Sequence, residues 1–377
     1  MLKSSMIHRK INSIYLAAKD HFIQSDIHFY CYSIFDEIYV RSTVAEAINS
    51  GLEVTLSISI IQDSQINELY NRYVGIKKIF RHHKFFLPNI KRFKIVVTPS
   101  TNINRRNIGI SKLSLLAHMP HSLASITGIY TEDAFDSFDL FLAATNYQAN
   151  EYYEICQKRN LNGKSFLVGY GKFDVMFPKL KEVIYNKENK KCILIAPSWT
   201  NTELINDLGH ELIKNLLMQG FQVVLRPHPS QIPNIGFESS NKLLNLANEE
   251  NSFIIENPHH IQHQSIYQAD LLITDYSGIS FEFFFLTKRP VLFIDLPKKI
   301  LNQKLSIYNQ DPVEIRMRER IGLIVRPKID EIIPSIIQLL SNTVYNLNVD
   351  LNEEFIHSDE IKVSERASKV LNNFLEK

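Results

Sequence analysis

The stretch Leu271-Leu272-Ile273-Thr274-Asp275-Tyr276-Ser277-Gly278-Ile279-Ser280-Phe281-Glu282 decides the fold. A short apolar run ends in an acidic residue. Ser-Gly then opens a segment, Gly278–Thr287, whose length suits a helix better than a strand. Strand, polar turn and helix in that order form the repeating unit of a parallel α/β sheet. The same order recurs on both sides. Strands are expected at Cys192–Ala196, Gln222–Leu225, Ser252–Glu256, Leu271–Thr274, Val291–Ile294 and Leu323–Val325. Helices at Asn201–Gln219, Lys242–Glu249, Gly278–Thr287 and Asp330–Ser341 separate them.

The first half follows the same rule. Strands are expected at Ile27–Ser33, Glu53–Ile60, Phe93–Pro99, Leu113–His118, Leu140–Thr145 and Ser165–Val168, with helices at Arg41–Ser50, Gln65–Tyr73 and Gln148–Arg159. The charged stretch Lys179–Lys191 (KLKEVIYNKENKK) reads as an interdomain linker. The expected architecture is α/β, with two doubly wound Rossmann-like domains facing across a cleft. The first domain spans 1–178, the linker 179–191 and the second domain 192–358. A last helix within 359–377 is expected to pack back on the first domain. Ligands of such sheets bind beyond the carboxyl ends of the strands, which places the expected site in the cleft.

Composition narrows the class. A chain of 377 residues is long enough for two domains. With 42 Lys+Arg against 40 Asp+Glu the net charge is only +2, so no strong field draws in nucleic acid and no nucleic-acid partner is expected. Cys31, Cys156 and Cys192 lie far apart without a C-x-x-C, which argues against a disulfide framework or zinc ribbon and for a reducing, cytoplasmic setting. No apolar stretch approaches the ~20 residues of a membrane span. The N-terminus lacks the apolar core and cleavage site of a signal peptide.

Four segments place chemically useful residues just after an expected strand. In Arg226-Pro227-His228-Pro229, two prolines fix a turn that carries a guanidinium fork suited to phosphate oxygens and an imidazole able to donate to them. The alternative is a strand end whose Arg meets a carboxylate. Asp275, Ser277 and Gly278 open a helix whose exposed N–H groups suit an anion, and Asp275 or Ser277 can equally be an ordinary cap. Glu282, in the same helix, is within reach of a ribose hydroxyl or is a surface carboxylate. His118 and His121 flank a Met-Pro turn. No Cys partner or helical pair supports a metal there, and a general base is the sharper reading. Ser198, Trp199 and Thr200 occupy a strand-to-helix turn suited to a phosphate or base. Gly169–Asp174, with the cation Lys172, reads as a flexible turn that closes the first domain.

Other motifs are absent or weak. There is no P-loop, no G-x-G-x-x-G after a strand and no G-x-S-x-G elbow. His259, His260 and His263 cluster in what reads as an exposed polar loop. The patch Lys77–Lys94 (KKIFRHHKFFLPNIKRFK) mixes cations with aromatics and suits an anionic membrane or polyanionic acceptor, with a solvated face as the alternative.

On these residues the chain resembles the CDP-glycerol glycerophosphotransferase family, which builds teichoic-acid and related capsule polymers on a GT-B scaffold. Arg226–Pro229 resembles its R-x-H-P element, and Thr274–Gly278 its (S/T)-D-x-S-S segment. Ala196–Trp199 resembles its A-P-T-W, and Gly169–Asp174 its G-x-P-R-x-D. His121-Ser122 falls where the family has His-Gly, and Gly278 stands for the second Ser of (S/T)-D-x-S-S. The motifs span roughly Leu113–Leu296.

The resemblance implies transfer of glycerol phosphate, or a related polyol phosphate, from a CDP-activated donor to a hydroxyl of a cell-surface polymer. The first domain would then be the acceptor side and the second the donor side. His121 would be the base. Arg226, His228 and Ser277 would hold the pyrophosphate, with Asp275, Gly278, Glu282, Ser198, Thr200, Lys172 and Ser122 around the substrates. The acceptor would be a polymer or lipid-linked glycan, met at the inner face of the plasma membrane through a peripheral contact. No carboxylate cluster calls for a metal, so no cofactor is expected, with Mg²⁺ left open. The rivals are a GT-B glycosyltransferase using a nucleotide sugar, a non-catalytic nucleotide- or polymer-binding subunit and, more distantly, a sugar-nucleotide epimerase.

Overall fold

Strands buried on both faces read as near-continuous apolar runs, and the central strands of the second half of this chain do. Cys192–Ile195, Leu271–Thr274 and Val291–Ile294 are buried at every position. The computed structural model describes residues 23–81, 93–103, 105, 110–184, 190–198, 203–228, 236–256, 264–298, 300–341 and 362–376. The described residues fall into two compact units. One gathers those of Met1–His121, Glu132–Val175 and Asn352–Lys377, the other those of Ser122–Thr131 and Met176–Leu351.

The first unit runs β1 (Ser25–Ser33), α1 (Glu37–Asn49), β2 (Val54–Ile60), α2 (Asp63–Arg72), β3 (Lys78–Arg81), β4 (Phe93–Thr98), β5 (Leu115–His118), β6 (Leu140–Ala143), α3 (Asn146–Arg159), β7 (Lys164–Leu167) and the start of α4 (Gly171–Ile184). Its seven strands pair in parallel in the order β3-β2-β1-β4-β5-β6-β7. Strand order reverses between β1 and β4, the mark of a doubly wound sheet.

Two differences from the sequence expectations have plain causes. β3 lies inside the segment read as a basic patch. Among the described residues it is a short edge strand paired only with β2, and its charged ends mask the apolar Ile79 and Phe80. Helix α1 starts at Glu37 rather than Arg41. Glu37 is fully buried, and its carboxylate meets Arg41 at 2.7 Å, Arg72 at 2.9 Å and the Tyr73 hydroxyl, so a charge on the inner face interrupts the apolar period.

The second unit continues with β8 (Cys192–Ile195), α5 (Glu203–Asn206), α6 (Gly209–Met218), β9 (Gln222–Leu225), α7 (Phe237–Glu249), β10 (Phe253–Ile255), α8 (Gln264–Gln268), β11 (Leu271–Thr274), α9 (Ile279–Thr287), β12 (Val291–Ile294), α10 (Val313–Arg316), α11 (Arg318–Ile321), β13 (Gly322–Val325) and α12 (Ile329–Ser341). Its six parallel strands take the order β10-β9-β8-β11-β12-β13. The sheet reverses between β8 and β11, where Ile195 pairs with Ile273. Ile193, Val223, Ile273, Leu292, Leu212 and Ile336 form its core between strands and helices. The expected single helix Asn201–Gln219 is two described helices, α5 and α6, separated at Asp207-Leu208.

A final helix, α13 (Val363–Leu375), packs on α1 of the first unit. The Asp174 carboxylate accepts from its first amides, Val363 N at 3.1 Å and Ser364 N at 2.9 Å, which satisfies orphan donors and opposes the helix dipole. Arg366 Nε adds a bond of 2.7 Å to the Val168 carbonyl.

The segment Ser122–Thr131 belongs to the second unit through specific bonds. Ser125 N donates to Glu314 Oε1 at 2.9 Å, and Asn302 Nδ2 donates to the Thr127 carbonyl at 2.9 Å. Leu301 N donates to Gly128 O at 2.9 Å.

Candidate functional site

Three adjacent strands of the second unit, β9, β8 and β11, end in Arg226, the Ala196–Ser198 turn and the Asp275–Gly278 turn. They straddle the reversal point of the sheet, where doubly wound folds bind ligands. Asp275 is fully buried and holds the neighbouring turn with both oxygens. Ser198 N donates to Oδ1 at 2.7 Å, and Ser198 Oγ donates to Oδ2 at 2.6 Å. Thr274 Oγ1 adds a bond of 2.6 Å to the Ala196 carbonyl. The carboxylate therefore shapes the β8 turn.

Arg226 continues the ladder, its N–H donating to Ile195 O at 2.8 Å. Its Nε lies 3.6 Å from Glu256 Oε2, which also accepts from Ser265 Oγ at 2.6 Å. Both side chains of the Arg226–Glu256 pair are mostly buried, at 14% and 15% exposure, so their separation is only weakly screened. His228 follows two residues on and is half-buried. Glu256 was not singled out from the sequence, although it is a polar residue ending an expected strand, the same signal that marked Arg226.

Helix α9 starts with Gly278 as its cap. Ser277 is half-buried, and its carbonyl accepts from Ser280 Oγ at 2.7 Å. Glu282 lies in the first turn and is buried, its N–H donating to Gly278 O at 3.3 Å. A Cβ on Gly278 would come within 2.6 Å of Ser122 Oγ. Tyr276, between Asp275 and Ser277, stacks under Arg318 at 3.9 Å. Arg318 Nη2 donates to the Tyr276 hydroxyl at 2.7 Å and lies 3.2 Å from Asp295 Oδ1.

His121 and Lys172 lie in the first unit, joined by two tyrosines. His121 Nδ1 lies 2.6 Å from the Pro99 carbonyl. A carbonyl only accepts, so Nδ1 carries the proton and the neutral ring has Nε2 as its basic nitrogen. The Tyr170 hydroxyl donates to the His121 carbonyl at 3.0 Å. The Tyr39 ring sits 5.9 Å from that of Tyr170 and 6.1 Å from that of His121. Buried Lys172 places Nζ 5.6 Å from the Tyr39 ring centre. The second half of the segment read as a flexible turn is helical, since Gly171–Asp174 form the first turn of α4. Gly171 is packed so closely against the Tyr39 carbonyl that any Cβ would collide with it.

His118 is a packing residue. Its ring lies 4.9 Å from Phe138 and 5.3 Å from both Phe135 and Phe141. Burial, and then the neighbouring His121, hold its pKa well below the usual imidazole range. The folded protein keeps this ring neutral, whereas the unfolded chain takes up a proton near pH ~6.5. Stability therefore falls as pH drops below that value, by up to about 1.4 kcal/mol per pH unit. His118→Leu flattens this acid limb in thermal unfolding between pH 5 and 7. A parent and variant with parallel pH profiles would contradict the assignment.

Trp199, Thr200, the His259/His260/His263 cluster and most of the Lys77–Lys94 patch lie outside the described residues. At the ends of that patch, Lys77 pairs with Glu53 at 2.8 Å and Lys94 with Asp26 at 2.8 Å. Among the described residues no group of three or more His, Cys, Asp or Glu is placed to hold a metal ion, and no helix is long and apolar enough to cross a membrane. All three cysteines are buried and none takes part in a disulfide.

The chain is 33% identical over 126 residues to a teichoic acid poly(glycerol phosphate) polymerase of Bacillus spizizenii (strain ATCC 23059 / NRRL B-14472 / W23). That match spans 30% of this chain and 29% of the polymerase. Among solved structures, the wall teichoic acid polymerase TagF superposes with a TM-score of 0.54 at 14% identity, covering 100% of this chain and 97% of that one. A UDP-GlcNAc 2-epimerase from Neisseria meningitidis superposes with a TM-score of 0.58 at 12% identity, covering 93% and 99%. At such identities the likeness concerns the fold, which is the two-unit α/β architecture of the GT-B class. The sequence pattern of CDP-Glycerol:Poly(glycerophosphate) glycerophosphotransferase matches residues 121–309, half of the chain, from His121 through the Arg226 and Asp275–Gly278 turns. The chain belongs to the CDP-glycerol:poly(glycerophosphate) glycerophosphotransferase family.

Proposed function

We propose that the protein transfers glycerol phosphate, or a related polyol phosphate, from a CDP-activated donor to a hydroxyl of a teichoic-acid-like or capsular cell-surface polymer. The observation that carries this reading is the edge built by β9, β8 and β11. It sets a guanidinium, a clamped hydroxyl turn and a helix start side by side at the reversal point of one sheet. Guanidinium groups and helix starts suit the pyrophosphate of a nucleotide donor.

In this mechanism the acceptor oxygen attacks the β-phosphorus of the donor. A new P–O bond forms as the bond from that phosphorus to the bridging oxygen breaks, and CMP departs. The acceptor proton passes to His121 Nε2, the basic nitrogen of the tautomer set by Pro99. Arg226, His228 and Ser277 offset charge on the leaving phosphate. On this reading Ser122, Ser198, Asp275, Gly278 and Glu282 lie on the donor side, and the family resemblance also assigns Lys172 and Thr200 to substrate binding. A lipid-linked acceptor at the inner face of the membrane completes the reading, supported by the cationic and aromatic make-up of Lys77–Lys94.

The test is turnover of CDP-glycerol, CDP-ribitol and UDP-sugars in the presence of a glycerol-phosphate-primed acceptor, read as released nucleotide. CMP release with a CDP-polyol supports the reading. Turnover of a UDP-sugar alone would replace it with glycosyl transfer. Arg226→Ala weakens CDP binding about ten- to a hundredfold, as loss of a charge-assisted hydrogen bond should. Unchanged CDP affinity in a folded variant, by calorimetry, would remove Arg226 from the phosphate site.

A further inference from the structure

The carboxyl ends of β9 and β10 lie side by side, since Leu225 pairs with Ile255. The residues that follow them, Arg226 and Glu256, are neighbours for that reason. Both backbones are fixed by the sheet. Arg226 N donates to Ile195 O at 2.8 Å, and Glu256 N donates to Leu225 O at 2.8 Å. The Glu256 side chain is held too, because its Oε2 accepts the Ser265 hydroxyl at 2.6 Å. Ser265 is itself buried on α8.

The oxygen bound to Ser265 is the one that lies 3.6 Å from Arg226 Nε. A carboxylate that captures a guanidinium closes to about 2.7–2.9 Å. Glu37 of the first unit does so, meeting Arg41 at 2.7 Å and Arg72 at 2.9 Å. Glu256 stands off from Arg226 by contrast, and it does so at the Nε edge. A guanidinium has five N–H donors. A carboxylate can therefore steer that edge while the terminal fork meets two phosphate oxygens.

We propose that Glu256, anchored by Ser265, is a positioning residue for donor binding, which sets the Arg226 fork toward the donor phosphates without capturing it. This inference rests on the reading that Arg226 binds those phosphates. Glu256 touches no substrate in it and acts only through Arg226.

The experiment is a double-mutant cycle in the full chain with parent, E256A, R226A and R226A/E256A, and with E256D as a further variant. CDP affinity is read by calorimetry, and folding by urea unfolding. E256A weakens CDP binding about five- to tenfold, the loss expected when a charge-assisted hydrogen bond is misaligned. E256D keeps the charge but withdraws the carboxylate by one methylene, and it weakens binding to a similar degree. In the R226A background, E256A changes CDP affinity by less than about twofold, because the residue through which it acts is gone. A role confined to stability would lower the unfolding midpoint and leave the CDP affinity of the folded variants unchanged. CDP affinity at or above the parental value in E256A or E256D, or additive losses in the double variant, overturns the inference while R226A still upholds the donor reading. Unchanged CDP affinity in folded R226A overturns both. If E256A does not fold, E256D and R226A/E256D complete the same cycle with the same two outcomes.

Discussion

His121→Ala lowers turnover of the CDP-activated donor by about 10²-fold or more and leaves CDP affinity nearly parental. The side chain is held in an orientation that suits the proposed role. Pro99 O holds the proton on Nδ1, Tyr170 holds the backbone carbonyl, and Tyr39 flanks the ring. A base acting from Nε2 also predicts a rate that falls on the acid side of its pKa, and the variant lacks that limb. His118→Leu is the companion measurement, since His118 lies among three phenylalanine rings and its loss changes stability rather than the pH–rate profile. Near-parental turnover by His121→Ala, with a folded but inactive His118→Leu, would reverse the two roles.

Asp275→Ala costs about 3 kcal/mol of stability or more, since two hydrogen bonds to a buried carboxylate are lost together and the Ser198 N–H and hydroxyl are left without their acceptor. The same change releases the β8 turn, so CDP binding falls with it. Asp275→Asn is the informative partner. Its carbonyl can accept the Ser198 amide, and its NH₂ can donate to the Ser198 hydroxyl, which is able to accept. The amide therefore recovers more than half of the loss in urea unfolding. An alanine variant within about 1 kcal/mol of the parent would show that the clamp contributes little.

The α9 turn and the β9 end show how far local reading reaches. Gln222–Leu225, Leu271–Thr274 and Val291–Ile294 are strands over the residues that their apolar runs mark, and Asp275 and Arg226 end two of them. Such runs are legible because both faces of a parallel sheet are buried, so the central strands are mostly apolar. Edge strand β3 and the Glu37 start of α1 were not legible. In both, charged residues interrupt the local pattern, and only the neighbouring strand or the Arg41–Arg72–Tyr73 cluster accounts for them.

The linear chain by itself determined the class of fold, the strand-end turns that carry the candidate side chains and the motifs that place it in its family, because each is written in consecutive residues. Only the tertiary structure decided that Asp275 clamps Ser198 across 77 residues and that Pro99 selects the tautomer of His121. It alone placed Ser122–Thr131 within the second unit and set Ser122 against Gly278. These pairings depend on which strands become neighbours and how closely their turns pack. Apolar periodicity fixes which face of a strand or helix is buried but carries no information about which distant residue will meet it.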